Sequence, residues 1–168
     1  LDVKDARDAF NTLVEKAKDA AGQKTASRIG TKIHTFTEDL DASQMKLSEV
    51  PALYRDSLDA YQQEMRRFGI QVLPELQERI ITVPAYGVAG RMDKVVLEPD
   101  GTYTIGDVKT GANLSYNWLE IAVQLALYAH GLNTVGIWDK PSESWIPSGT
   151  PDVPKVNTDY ALVMHLPV

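Results

Sequence analysis

Three amphipathic helices are predicted in the N-terminal part of the chain. Residues 3–21 repeat apolar side chains at every third or fourth position with charges between them, the spacing of a helix that buries one face. The same period returns at about 26–40 and again after Ser48, which is the expected N-cap, with Pro51 in the first turn. Gly69 is expected to end the third helix, because glycine readily adopts the left-handed backbone that follows a helix.

Beyond Gly69 the pattern changes to strands. Runs of β-branched and apolar residues predict strands at Glu78–Tyr86 and Ala89–Leu97. Residues 98–102 combine proline, aspartate and glycine, which is a turn signal, and a further strand is predicted at Tyr103–Lys109. The last two strands therefore form a hairpin.

The remainder of the chain completes the predicted fold. A helix at about 117–130 is apolar on most sides, so we expect it to lie against the sheet. Residues 131–157 contain four prolines and are predicted to be irregular, before a last strand at Tyr160–Leu166. We expect an α/β fold, a central mixed sheet built around the hairpin and flanked by helices. One domain is expected, with a helical part at 1–69 and an α/β core at 70–168.

Two carboxylates and a lysine are expected to meet on the hairpin. If the turn is centred near Asp100, residues whose numbers sum to about 200 face one another, and Asp93 and Asp107 satisfy that sum. Lys109 follows Asp107 by two positions and therefore shares its face. Facing carboxylates repel each other unless a cation lies between them, and hard oxygen ligands suit Mg²⁺ or Mn²⁺. A cross-strand ion pair between Asp93 and Lys109 is the simpler alternative.

Composition narrows the classes of function. The chain has 43% hydrophobic and 24% charged residues and no cysteine, which describes an ordinary globular protein without disulfides, thiolate zinc sites or cysteine-held iron–sulfur clusters. Its apolar stretches are too short to cross a membrane and no signal peptide opens it, so we expect a cytoplasmic protein without membrane contact. The net charge of −6 argues against coating of nucleic acid by a large basic surface, although a bound cation reverses the local field.

Four short segments together resemble the RecB-like branch of the PD-(D/E)XK nuclease superfamily. They are Gly30-x-x-x-His34, Gly90-Arg91-Met92-Asp93, Ile105-Gly106-Asp107-Val108-Lys109-Thr110-Gly111 and Gln124-Leu125-Ala126-Leu127-Tyr128-Ala129. They occur in the order of the family's motifs and on the expected helix, hairpin and helix. The resemblance implies a restriction-endonuclease-like core with the hairpin at its catalytic centre.

The resemblance also implies roles for the residues of the site. The aspartates matching Asp93 and Asp107 bind Mg²⁺ or Mn²⁺ in that family, and the histidine matching His34 commonly adds a ligand. The lysine matching Lys109 orients or activates the attacking water. A metal-bound water would then attack a phosphodiester of DNA in line, without a covalent intermediate.

Further positions of the family's site can be matched as well. Gln124 and Tyr128 share a helix face, and the matching pair supports the catalytic site and contacts DNA. Glu78 resembles an additional acidic position, for which Glu75 is a competing choice. His34 could instead be an ordinary histidine on the helix surface, and Gln124 and Tyr128 could be polar positions capping a buried helix.

Positive side chains near these motifs are candidates for contact with DNA. Lys24, Arg28 and Lys32 repeat every four residues and would form a basic ridge on the second helix, unless they are simply a solvated face. Arg91 and Lys94 lie beside Asp93 and are expected to add positive charge at the site.

Trp138 and Trp145 lie in the segment predicted to be irregular, where they could stack on the bases of a single strand or cover the core.

The expected function is that of a small stand-alone exonuclease of phage or prokaryotic recombination and repair. The chain lacks the cysteines of the CRISPR-associated relatives and any helicase motif. The alternatives are a non-catalytic DNA-binding or assembly module on the same fold, and an acidic scaffold that binds a protein partner. The sequence does not indicate an oligomeric state, a cleavage polarity or a strand preference.

Overall fold

The structure is a computed structural model that describes residues 2–20 and 23–167, without the side chains of residues 15, 18, 19, 23 and 24. The described chain contains the α-helices α1 (Val3–Ala20), α2 (Gln23–Asp41), α3 (Ala52–Arg67) and α4 (Trp118–Thr134). Its strands are β1 (Gln71–Val72), β2 (Arg79–Val83), β3 (Val88–Met92), β4 (Lys94–Leu97), β5 (Tyr103–Lys109), β6 (Ile137–Asp139), β7 (Ser144–Ile146) and β8 (Leu162–His165). The predicted α/β class is therefore confirmed. No helix in these ranges is both long enough and apolar enough to cross a bilayer.

The described strands form two four-stranded sheets instead of one central sheet. The first sheet has the order β1-β4-β5-β8 and the second the order β3-β2-β6-β7. In the first sheet β4 and β5 are antiparallel, with Lys94 opposite Gly106 and Leu97 opposite Tyr103, which is the predicted hairpin register. Because β8 runs parallel to β5, the first sheet is mixed.

Each face of the first sheet packs on different helices. Val95 and Ile105 are completely buried in a hydrophobic cluster with α4, whereas Val96 and Val108 are completely buried in a second cluster with α2 and α3. This alternation follows from the pleat, which directs successive side chains to opposite faces. The hairpin is thus held between two helical layers, which fixes the backbone of the strand that carries Asp107 and Lys109.

The predicted strand Ala89–Leu97 is in fact two strands. Strand β3 ends at Met92 and pairs with β2, whereas β4 begins at Lys94 and pairs with β1 and β5. Asp93 lies between them, where the chain leaves the second sheet for the first. A hydrophobic pattern cannot show this break, since both strands have apolar residues at the expected positions.

Two other boundaries differ from the predicted ones. Ser48 lies in a 3₁₀ turn, Leu47–Glu49, and α3 begins only after Pro51, which occupies the N-cap. Strand β2 ends at Val83, because the following Pro84 has no N–H for strand pairing and starts another 3₁₀ turn.

The segment 131–157, predicted to be irregular, contains the end of α4 and the short strands β6 and β7. These strands are only three residues long and are bounded by prolines at positions 141 and 147, so their alternation is too brief to be recognised in the sequence.

Lys94 does not add positive charge at the surface, contrary to the sequence-based expectation. Its side chain is 1% exposed, and its Nζ donates to Asp41 Oδ2 at 2.5 Å and to the Tyr61 hydroxyl at 3.2 Å. The Tyr61 hydroxyl donates in turn to Asp41, at 2.8 Å to Oδ2. Register places this residue on the α2 and α3 face of β4, where it meets an acid at the end of α2. The ion pair therefore links the two helices to the first sheet.

Lys94→Ala should lower the free energy of unfolding by about 3–5 kcal/mol, because it leaves Asp41 buried without a counter-charge. Denaturant unfolding of both proteins would measure the loss. Lys140→Ala, at an exposed position, is the control and should change the free energy little. Replacing both partners by apolar residues, as Lys94→Met with Asp41→Leu, should recover most of the loss. A loss below about 1 kcal/mol in Lys94→Ala would contradict a buried ion pair.

Candidate active site

The Asp93 carboxylate accepts a backbone hydrogen bond at the position where the pairing of β4 with β5 ends. The regular pairing of β4 with β5 ends at Lys94 and Gly106. Asp93 and Asp107, the next positions of the predicted register, are therefore not paired as strand residues. The Val108 N–H donates to Asp93 Oδ2 at 2.8 Å, and the Glu78 N–H donates to the Asp93 carbonyl at 2.8 Å. Asp93 therefore connects both sheets at the point where they separate.

Asp107 is almost completely buried beside Lys109. The Lys109 Nζ lies 3.0 Å from Oδ1 and 2.8 Å from Oδ2 of Asp107. The direction of the contact suits a hydrogen bond to Oδ1, and within the described part of the chain Oδ2 is buried without a hydrogen-bond partner. Burial raises the pKa of the Asp107 carboxyl and the charge of Asp93 raises it further, while Lys109 opposes both. Asp107 Oδ2 thus faces the Lys109 ammonium group but accepts no hydrogen bond from any residue that the structure describes.

The predicted pair on α4 is in contact with Lys109. The Lys109 Nζ donates to Gln124 Oε1 at 3.2 Å, and Gln124 Nε2 donates to the Tyr128 hydroxyl at 3.0 Å. Gly90 makes room for this chain of hydrogen bonds, because a Cβ at that position would lie 2.7 Å from a carbon of the Tyr128 ring. Lys109 is therefore held between an acid on its own strand and an amide on the helix.

A cleft of about 540 Å³ opens between α2 and the gap between the sheets. His34 lines the cleft, and its Nδ1 lies 3.4 Å from Asp93 Oδ2. The helix can approach closely because Gly30 faces Thr110, whose Oγ1 would lie 2.5 Å from a Cβ at that position. The histidine therefore points from the predicted helix face toward the hairpin.

Glu38 is a cleft residue that the sequence analysis missed. It lies four residues after His34 on α2, hence on the same helix face, and this spacing was the available signal. Glu78 lies opposite, and its carboxylate contacts the Arg91 Nε at 2.6 Å. Glu75, the competing choice, is exposed in the preceding 3₁₀ turn. The cleft is thus lined by three acids, Glu38, Glu78 and Asp93, from separate parts of the chain.

The two glutamates of the cleft bind protons more readily than usual. Burial raises the pKa of Glu78 to about 7, with a further contribution from the charge of Glu38 and an opposing one from Arg91. Burial likewise raises the pKa of Glu38. Glu78 also has a left-handed backbone, with φ of 54°, which is unusual for a residue with a Cβ. Burial next to another acid disfavours the charged form of Glu78 unless a cation is present.

The basic residues predicted to contact DNA have different surroundings. Arg91 lines the cleft with a side chain that is 68% exposed. Arg28 and Lys32 are exposed on α2, one position after the cleft residues Ser27 and Thr31. The side chain of Lys24 lies outside the described residues.

The donor set of the cleft suits a hard divalent cation. Among the residues that the structure describes, no three acids or histidines form a compact metal cluster. His34 contacts Asp93, and Lys109 contacts Asp107. The buried Oδ2 of Asp107 is nevertheless without a hydrogen bond. Carboxylate oxygens with one imidazole nitrogen are ligands that Mg²⁺ and Mn²⁺ accept. The residues present therefore fit such an ion.

The stability of the metal-free protein should depend on Glu78. Its carboxyl binds a proton up to a pKa of about 7 in the folded protein, against 4.5 ordinarily. The folded state therefore holds more protons than the unfolded state between these values, and stability falls as pH rises through this range. Glu78→Gln should remove that part of the fall.

Urea unfolding from about pH 5 to about pH 8, with a chelator present, would measure the effect. Glu75→Gln, at an exposed acid on the neighbouring turn, is the control and should keep the wild-type dependence. Parallel profiles for Glu78→Gln and wild type would show that Glu78 ionises normally.

Comparison with known proteins identifies the family. The sequence pattern of the PD-(D/E)XK nuclease superfamily matches residues 2–150. No curated protein sequence and no solved structure matches the chain significantly. The matched range includes the helix of His34, the break at Asp93 and the strand of Asp107 and Lys109. Members of the superfamily are generally metal-dependent nucleases, commonly with Mg²⁺ or Mn²⁺. The chain belongs to the PD-(D/E)XK nuclease superfamily.

Proposed function

We propose that the chain is a stand-alone RecB-like deoxyribonuclease that hydrolyses phosphodiester bonds of DNA with Mg²⁺ or Mn²⁺. The observation that carries the proposal is the buried carboxylate of Asp107, which has one oxygen without a hydrogen bond and Lys109 beside it. A fold seldom buries such a group without a ligand or a catalytic role. The resemblance of the ordered motifs to RecB-like proteins supports exonuclease action in recombination or repair.

Asp93, Asp107 and His34 would hold the ion, and Glu78, which lines the same cleft as Asp93 and His34, would assist. The bound ion would supply polarisation of the scissile phosphate and a more acidic water. The residues of the chain supply the orientation. Val108 N–H holds one oxygen of Asp93, which restricts the direction of that carboxylate.

Lys109 provides a positive charge in a fixed position at the proposed site. Asp107 and Gln124 hold its ammonium group from two sides, and Tyr128 holds Gln124. An ammonium group fixed in this way can donate to the attacking water or to a phosphate oxygen without first losing rotational freedom. Arg91 lies at the exposed side of the cleft, where it can contact a phosphate of the strand.

Digestion of DNA by the purified chain tests the proposal. Linear and circular, single- and double-stranded DNA would be incubated with Mg²⁺, Mn²⁺ or chelator. Metal-dependent loss of linear DNA, with circles left intact, is the expected result for an exonuclease. Binding of DNA without cleavage under all conditions would favour the non-catalytic DNA-binding module instead.

Asp107→Asn should lower the cleavage rate by at least about 100-fold, the scale on which loss of one electrostatic group is felt at a reacting centre. The amide has nearly the same shape but provides no negative charge for the ion. The fold should survive, since burial already disfavours the charge of Asp107. Initial rates on linear DNA would be compared with those of Asp56→Asn, an exposed control on α3. Full activity of Asp107→Asn would rule out the proposed centre.

His34→Ala should weaken binding of Mn²⁺ by at least about tenfold, which is the loss caused even by removal of a group that only supports a ligand. Binding of Mg²⁺ should suffer less, because Mg²⁺ prefers oxygen ligands. Calorimetric titration of both proteins with each ion would measure this. Thr35→Ala, also a cleft residue of α2, is the control. Equal Mn²⁺ affinities for His34→Ala and wild type would mean that the acids alone hold the ion.

A further inference from the structure

A row of side chains crosses the second sheet from the cleft. Arg91 of β3 lies opposite Ile80 of β2, Ile80 lies opposite Trp138 of β6, and Trp138 lies opposite Trp145 of β7. Directly opposite residues project from the same face of a sheet. Four strands therefore contribute one residue each to a continuous row on one face.

This row faces away from the hydrophobic core. The neighbours of its members along the strands, Ile81, Ile137 and Ile146, pack in the core cluster with α4. The pleat therefore directs the row to the opposite face. There Ile80 is 43% exposed and Trp145 is 39% exposed. These tryptophans do not cover the core, which was the simpler expectation for them.

The chemistry of the row suits unpaired bases. The rings of Trp138 and Trp145 contact each other with centroids 5.4 Å apart at an interplanar angle of 62°, so their faces are not stacked on one another. An exposed indole can stack on any base, because every base has a π-face. That matters for a chain of net charge −6, which has little capacity to coat a phosphate backbone.

The position and the length of the row agree with binding of a single strand. Three interstrand spacings of about 4.8 Å give a row of about 14 Å, which corresponds to roughly four stacked nucleotides at about 3.4 Å each. Arg91 belongs both to the row and to the cleft that contains Asp93 and His34. A strand lying along the row would therefore reach the candidate active site without crossing another element of the second sheet.

We propose that the row Arg91–Ile80–Trp138–Trp145 binds the unpaired bases of a single DNA strand next to the active site. The inference rests on the proposed function and deepens it, since it assigns DNA with a single-stranded segment as the substrate class. Bases inside a duplex are stacked on one another and cannot use the row.

Binding of defined oligonucleotides tests the proposal. Fluorescence anisotropy would be measured in chelator with a labelled thymidine 12-mer, an abasic 12-mer with the same phosphodiester backbone, and a blunt duplex. Trp145→Ala should weaken binding of the thymidine 12-mer by about tenfold, as expected for loss of one stacked base. Its binding of the abasic strand and of the duplex should stay at the wild-type level. Trp145→Phe should retain most of the affinity because it keeps an aromatic face.

Trp118→Ala is the matched control. Trp118 is 53% exposed at the start of α4 and lines a pocket with Ile121 and Tyr160, separate from the pocket lined by Gln124 and Tyr128. It should bind all three probes as wild type does. An unchanged affinity of Trp145→Ala for the thymidine 12-mer would overturn the proposal, and so would an equal loss on the abasic strand.

Tryptophan fluorescence of the unaltered protein provides a second measurement, independent of the folding of Trp145→Ala. The thymidine 12-mer should quench it, and Trp145→Phe should show less quenching. Absence of quenching would overturn the proposal. If the chain cleaves DNA but Trp145→Ala binds the thymidine 12-mer as tightly as wild type does, the proposed role of the row is refuted and the nuclease function is not. Selective loss of thymidine binding, in a chain that cleaves no DNA with any metal, would support the row and refute the nuclease function.

Discussion

The hydrogen bond from the Val108 N–H to the Asp93 carboxylate fixes the arrangement on which the site depends. It occupies a backbone donor of β5 at the position where β4 no longer pairs with that strand. The chain can therefore turn from one sheet into the other without leaving a buried N–H unsatisfied. The cleft with His34 opens at this separation, and the second sheet extends beyond it with an exposed face. The Asp93 side chain thus has two roles, since it accepts a hydrogen bond from the backbone of β5 and is also a candidate metal ligand.

The buried acids of the candidate site would be stabilised in their charged form by a bound cation. Burial raises the pKa of Asp107, Glu38 and Glu78, so the folded chain carries carboxyl groups that are costly to ionise. Lys109 and Arg91 compensate this only in part. A divalent ion would relieve the repulsion and would favour the ionised carboxylates, so metal binding and proton release should be linked. The helix packing that supports this arrangement is provided by close contacts at Gly30 and Gly90.

Two lysines of the hairpin show how position decides the role of a side chain. Lys94 on β4 meets Asp41 and Tyr61 in the interior and links the first sheet to the helices. Lys109 on β5 projects to the other side, where Gln124 of α4 holds it beside Asp107. Both are basic residues close to an acidic motif, so the sequence alone suggested a surface role for Lys94 as well. Its partner is 53 residues away in the chain, and no local pattern could indicate it.

The four helices, the hairpin and its register could be predicted from the sequence, because periodicity and a turn signal act over a few residues. The same local spacing placed Lys109 beside Asp107, and Gln124 with Tyr128 on one helix face. The break at Asp93, the position of Glu38 in the cleft, the burial of Lys94 and the exposed row that ends at Trp145 could not be predicted in this way. Each of these depends on strands or helices that are distant in the chain, and strand order follows from the packing of the whole molecule.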